Sequence, residues 1–306
     1  MSVAALQVQV LGPLSVHRNG EPVRLPQSKK TRGLLAYLAI TGRAHRRDRL
    51  CSLLWDVADD PRGALRWSLS KIRPVVDTES KRSLVADRES VELDLGEMSL
   101  DWRWVRKELA SGVDAISTER LKALESVFQG ELLEGLDLLD FDEFTAWCAA
   151  EREHARSMHS KVLEALVERL APTPSDALPY ARELVRIDPI NEAARARLIE
   201  LLGLAGRRNE AKAQYESALR VLHELGARVT GPLETAWREA NGRAETRSEE
   251  PPTLKADRAA ANDGAVTSAK PEKHARDVFV GRRKERSCLL SLLDDAGQSC
   301  LTVFLL

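Results

Sequence analysis

The stretch from Arg62 to Arg73 most constrains what this chain can fold into. Leu65, Leu69, Ile72 and Val76 recur at helical spacing and predict a single apolar stripe. Opposite that stripe fall Gly63, Trp67, Ser70 and Lys71, with Arg62, Arg66 and Arg73 along one flank. No acidic residue lies between Asp60 and Asp77. A helix docked by one face, with cations and hydrogen-bonding groups on the other, is suited to the major groove of DNA. A charged outer face is also the ordinary solvated face of a helix, so the flanking sequence has to decide.

Upstream, Leu6, Val8, Val10, Leu14, Val16, Val23 and Leu25 alternate with polar residues. Gly12-Pro13 and Asn19-Gly20 punctuate them, and Asn-Gly between alternating runs is a strong hairpin signal. The chain is therefore expected to open with a small antiparallel sheet. Ser28 through Ile40 reads as a helix ending near Gly42, and Arg47 through Trp55 as a second. Asp59-Asp60-Pro61 then gives a cap-like start for the third helix, over 61–73, with proline in its first turn. Pro74 removes a helical hydrogen bond, so this helix is expected to bend or end early there. Ser83–Asp87 and Ser90–Leu95 alternate again around Arg88-Glu89, which predicts a terminal hairpin. Strands, three helices and a hairpin make a winged helix-turn-helix over residues 1–98.

Charge is distributed in the sense this requires. The whole chain is close to neutral, yet residues 1–98 carry an excess of four positive charges and 99–245 an excess of six negative ones. No apolar run approaches the ~18–20 residues of a membrane span, and no secretory signal is evident. Cys51, Cys148, Cys288 and Cys300 are scattered, without C-x-x-C spacing. They read as small core hydrophobes in a reducing cytoplasm. His154 and His159 are five apart, which does not place both on one helical face, and no metal or other cofactor is expected.

Residues 100–241 are helical in pattern, with candidate helices near 101–111, 117–128, 141–170, 175–187, 190–205, 207–224 and 232–241. Glycine or proline marks most junctions. Asp188-Pro189 reads as a capped helix start, with Leu198, Leu201 and Leu202 facing inward. Ala211, Tyr215 and Ala218 fall at the small-aromatic-small spacing of a tetratricopeptide repeat's second helix, and an offset of 34 residues sets Ala177 against Ala211. A repeat array of helical pairs is expected over 99–245. Residues 246–277 are rich in Glu, Ala, Lys, Asp and Pro and read as a flexible linker.

Several motifs carry a resemblance. Leu11-Gly-Pro-Leu14, Lys29-Lys30-Thr-Arg-Gly-Leu-Leu-Ala-Tyr-Leu38, Arg49-Leu50 with Leu54-Trp55, and Leu65-Arg66 with Leu69-Ser70-Lys71-Ile72-Arg73 resemble the DNA-binding domain of OmpR-like response regulators. They look most like its version in the Streptomyces antibiotic regulatory protein family. In the same family a bacterial transcriptional activator domain follows, which Gly130-Glu-Leu-Leu-Glu134, Asp140-Phe-Asp-Glu-Phe144, Trp147 and Glu151-Arg152 resemble. Val278-Phe-Val-Gly-Arg-Arg-Lys-Glu285 resembles the lead-in to an ATPase module, and Leu301–Leu306 its first strand. No G-x-x-x-x-G-K-[ST] loop occurs in the chain, so 278–306 reads as an incomplete lead-in and ATP hydrolysis is not expected.

The expected fold is mainly α: an N-terminal α+β winged helix-turn-helix followed by an all-α, tetratricopeptide-like repeat domain. The expected function is a cytoplasmic, sequence-specific transcriptional regulator that binds double-stranded DNA and is not an enzyme. Trp67, Ser70 and Lys71 are the candidates for base contact, although Trp67 is bulky for a base-reading position. Arg62, Arg66 and Arg73 are candidates for phosphate. Arg88 at the hairpin tip would touch the minor groove or phosphate, and Lys81 and Arg82 the backbone just before it. The resemblance implies activation from tandem direct repeats, with more than one copy on DNA. It also implies contact with RNA polymerase holoenzyme, for which the Ala58-Asp59-Asp60 loop is a candidate surface. Two other readings stay open: a helical-repeat protein-interaction module with a degenerate winged helix, and the remnant of a larger regulatory ATPase.

Overall fold

A computed structural model describes residues 6–56, 58–78, 81–96, 98–138, 140–224 and 231–247. The expected linker, beyond Arg247, and the ATPase-like lead-in lie outside the described residues, as do Cys288 and Cys300.

Strands β1 (Leu6–Gln9), β2 (Ser15–Arg18) and β3 (Glu21–Pro22) form the expected antiparallel sheet, with Val8 opposite Val16. Asn19 and Gly20 both have positive φ, 53° and 87°, which is the backbone a two-residue hairpin turn requires. Helix α1 (Lys29–Thr41) begins where the Ser28 hydroxyl accepts from the Thr31 N–H, and ends on Gly42 in the left-handed region. Then follow β4 (His45–Arg46), α2 (Arg47–Trp55), α3 (Pro61–Val76), β5 (Leu84–Ala86), β6 (Ser90–Leu93) and β7 (Ser99–Leu100). Two of these strands are additions to the sequence reading. The β4 strand joins the β5–β6 hairpin in the order β4-β6-β5, and β7 pairs parallel to β1 at the edge of the first sheet. A two-residue strand carries no period, so neither leaves a pattern to read.

The early end expected at Pro74 is corrected. Helix α3 does not stop before it but runs on to Val76. Pro74 is exposed, while Val75 and Val76 are buried and anchor the last turn. The Arg18 guanidinium donates to the carbonyls of Pro74, Val75 and Asp77 at 3.1, 3.0 and 3.0 Å. An interior proline costs ~3 kcal/mol. Burying two valines, at roughly 1.5–3 kcal/mol each, with three satisfied carbonyls, outweighs it.

The remaining chain is helical: α4 (Asp101–Leu109), a 3-10 turn (Val113–Ala115), α5 (Thr118–Glu125), α6 (Asp142–Arg169), α7 (Pro174–Ile187), α8 (Glu192–Leu204), α9 (Arg208–Glu224) and α10 (Gly231–Arg247). Helices α6, α7, α8 and α9 pack in succession, and α10 packs on α8. Ala177, Ala211 and Ala218 are fully buried, as the repeat spacing requires. Tyr215 stacks on Trp237 with ring centroids 5.3 Å apart. A Cβ on Gly203 would lie 2.7 Å from the Cβ of Ala240, so α8 and α10 cross at glycine distance. The expected start at Asp188-Pro189 is corrected. Asp188 ends α7, and α8 is capped by Asn191, whose side chain accepts from the Ala194 N–H at 3.0 Å. Pro189 lies in the intervening turn, where its carbonyl accepts from the nearly buried Arg195.

Packing crosses the boundary that the sequence reading drew at 98/99. One continuous core runs from Leu6 through Trp102, Phe144 and Leu166, and a second from Val167 to Ala240. The two cores meet within α6, not between the winged helix and the helices after it.

Candidate nucleic-acid interface

Helix α3 is held from behind by Leu65, Leu69, Ile72 and Val76, all buried as expected. Ser68 is buried with them, and its hydroxyl bonds the Thr31 hydroxyl of α1 at 3.0 Å. The sequence reading missed this pair, because serine and threonine at those positions carry no apolar signal. The start of the helix is fixed by Asp60, whose carboxylate accepts from the Gly63 N–H at 2.8 Å. A Cβ on Gly63 would displace that carboxylate, approaching Oδ2 to 2.1 Å.

The outward face carries Arg62, Arg66, Trp67, Ser70 and Lys71, all exposed. Trp67 is 53% exposed, an unusual position for so large an apolar ring. The Lys71 ammonium sits 5.5 Å from its centroid, and the Ser70 hydroxyl donates to the Trp67 carbonyl at 2.6 Å. Arg62 pairs with Asp48 at 2.8 Å and holds that carboxyl below its usual range. Arg66 lies 3.9 Å from Asp60. Both pairs are exposed, and such pairs are worth only about 0–1 kcal/mol, so a phosphate could replace either carboxylate.

Arg73 is placed differently. Its guanidinium donates to the Leu84 carbonyl at 3.2 Å and lies 3.4 Å from the Asp77 carboxylate. It ties α3 to β5, while Asp77 accepts from the N–H groups of Ser83 and Leu84 at 2.8 and 2.9 Å. Arg88 is exposed at the hairpin tip, where Asp87 accepts from the Glu89 and Ser90 N–H groups at 2.8 and 2.7 Å. Those donors depress the Asp87 pKa. Arg82 is exposed, and Lys81 turns to Asp94 at 3.1 Å. Arg47, absent from the sequence candidates, braces the tip: its side chain donates to the Asp87 carbonyl at 2.7 Å and its N–H to the Glu89 carbonyl at 2.8 Å. The structure therefore gathers five candidates on one helix face, with Arg88 at the hairpin tip and Arg82 just before its first strand. Arg73 and Lys81 are engaged within the fold.

The motifs at 130–134 and 140–144 lie against this module. The Asp101 carboxylate accepts from the N–H groups of Val10 and Leu11. Gln129, Leu133 and Glu134 donate their N–H groups to the carbonyls of Leu11, Val10 and Gly12. Phe144 packs on Gly33, Lys30 sits 4.2 Å above the Phe141 ring, Arg49 pairs with Glu143, and Trp147 meets Tyr37 edge-on at 4.8 Å.

Elsewhere, His154 meets the Trp102 ring edge-on and His159 stacks on Phe128. No group of three potential metal ligands occurs among the described residues. Cys51 and Cys148 are free and buried. No helix among the described residues is long and apolar enough to cross a membrane.

Residues 93–236 match the family model of the bacterial transcriptional activator domain. Among solved structures the chain is similar to Mycobacterium tuberculosis EmbR in complex with a low-affinity phosphopeptide. The TM-score is 0.56 at 21% identity, over 80% of this chain and 71% of that one. No curated protein matches at a significant level. The chain thus shares its fold with EmbR, a winged helix-turn-helix leading into helices, and its segment 93–236 matches the bacterial transcriptional activator domain.

Proposed function

We propose that this chain is a sequence-specific, DNA-binding transcriptional regulator of the activator type, similar to the Streptomyces antibiotic regulatory proteins. The observation that carries the reading is the outward face of α3: Arg62, Arg66, Trp67, Ser70 and Lys71 are exposed together on a helix whose other face is locked into the core. The match of 93–236 to an activator domain supports it. In this reading α3 enters the major groove, where Trp67, Ser70 and Lys71 face base edges and Arg62 and Arg66 meet phosphates. The Trp67 ring offers apolar contact to a thymine methyl. Arg88 and Arg82 reach the backbone from the hairpin, and Arg73 and Lys81 act by holding that hairpin in place. Activation proceeds from tandem direct repeats, with the Ala58-Asp59-Asp60 loop toward RNA polymerase.

The test is selection of bound genomic fragments by the full chain at two salt concentrations, because the core does not divide at 98/99. A recurring short direct repeat retained at physiological salt is the expected result. Weak, salt-labile binding with no shared motif would overturn the reading and turn attention to protein partners of the helical array.

A further inference from the structure

A cavity of about 180 Å³ opens between the loop 128–132, the middle of α6 and the end of α7. Arg152, Arg156 and Arg186 line it against a single lining carboxylate, Glu131. The three arginines are not equivalent. Arg152 is committed to the loop: it donates to the carbonyls of Leu132 and Leu133 at 3.0 and 3.1 Å and to Asp137 at 3.1 Å. Arg156 and Arg186 are more exposed: Arg156 pairs with Glu153 on its own helix at 2.8 Å and with the lining Glu131 at 3.6 Å, and Arg186 with Glu183 on its own helix. The exposed Arg156–Glu153 pair is readily exchanged for another carboxylate, whereas Arg186 holds Glu183 by two bonds, so an incoming acid group has to displace that carboxylate.

The rest of the wall is apolar and aromatic. Phe128 and His159 stack face to face, with centroids 4.0 Å apart and planes 2° from parallel, beside Leu132, Ala155 and Ile187. His159 is only 6% exposed, and its Nε2 is buried with no hydrogen-bond partner among the described residues. A buried ring nitrogen left unpaired is uncommon, and this one belongs to a residue that lines the cavity. Small-molecule sites combine these parts: a concave apolar wall and a few convergent polar groups.

We infer that this cavity binds a compact organic carboxylate, its acid group on Arg156 and Arg186 and its apolar body against Phe128, Leu132 and Ile187. Arginine suits a carboxylate because its planar fork donates two parallel hydrogen bonds. The cavity volume suits a body the size of one ring. The inference is independent of DNA binding, since none of these residues lies in the winged helix.

The experiment is calorimetric titration of the full chain with three probes: benzoate, benzyl alcohol and inorganic phosphate. Saturable one-to-one binding of benzoate is expected, with neither benzyl alcohol nor phosphate saturating in the same range. Arg156→Gln and Arg186→Gln should each weaken benzoate by about tenfold or more, the scale of one lost charge-assisted bond. Glu183→Gln, which releases Arg186 from its neighbour, should tighten it. Circular dichroism of each variant confirms that the helices are retained. Failure of benzoate to saturate, indifference to both arginine substitutions, or phosphate binding as tightly as benzoate would each overturn the assignment.

Discussion

The carboxylate of Asp101 holds the backbone N–H of Val10 between its two oxygens, at 3.0 and 2.9 Å. The same group accepts from the N–H groups of Leu11 and Trp102 at 3.0 and 2.7 Å. Burial works against its ionised form, and these donors work for it. Asp101→Asn would turn an amide donor toward a backbone donor and leave buried N–H groups unpaired. It should destabilise the chain by about 2 kcal/mol, read as a fall in the urea midpoint at unchanged slope.

The exposed face of α3 makes separable predictions. Lys71→Ala should relax sequence preference, because base contacts specify. Arg66→Ala should weaken all DNA alike and flatten the log–log salt slope by about one, the contribution of one phosphate. Both are read by titrating a selected site and a random duplex at several salt concentrations. Equal loss on both duplexes for Lys71→Ala would remove it from the base-reading set.

Ser68 and Thr31 form a buried hydroxyl pair between α3 and α1. Ser68→Ala alone leaves the Thr31 oxygen unpaired and should cost about 1–3 kcal/mol. Adding Thr31→Val removes the orphan and should recover most of that loss. A double-mutant cycle of urea midpoints checks it, and additive losses would mean that the pair contributes no coupling.

His159 predicts a pH dependence. Burial in the helical core, with Arg186 nearby, lowers its pKa to about 4, opposed by Glu183. The unfolded chain, near the ordinary 6.5, then binds the extra proton first. The contribution to stability is whole above about 6.5 and falls as pH drops toward about 4. Over that window the loss approaches ~3 kcal/mol. His159→Phe keeps the stack on Phe128 and should flatten this part of the profile. An unchanged slope would place the titration elsewhere.

The helices were legible from their apolar period, and two of them also from their caps: Ser28 and Gly42 bound α1, and Asp60-Pro61 opens α3. The two faces of α3 followed from the same period. What could not be read depends on distant partners. Helix α3 continues past Pro74 because Arg18, far away in sequence, satisfies the carbonyls there. Arg47 braces the hairpin tip through backbone atoms, which leave no residue-type signal. Asp188-Pro189 has the residue types of a capped start, and it is the folded turn between α7 and α8 that gives the cap to Asn191. The motif Asp140–Phe144 was read as a family mark. Its physical use, with Phe144 against Gly33 and Glu143 on Arg49, needed both segments in place.

Helix α6 is 28 residues long, roughly 42 Å. It lies in the core shared with the winged helix from Phe144 to Leu166, and Val167 near its end enters the core of the helical pairs. Near its start Phe144 packs on Gly33 of α1, the helix on which α3 rests, so one continuous helix spans from the support of the DNA-facing helix to the core of the helical pairs.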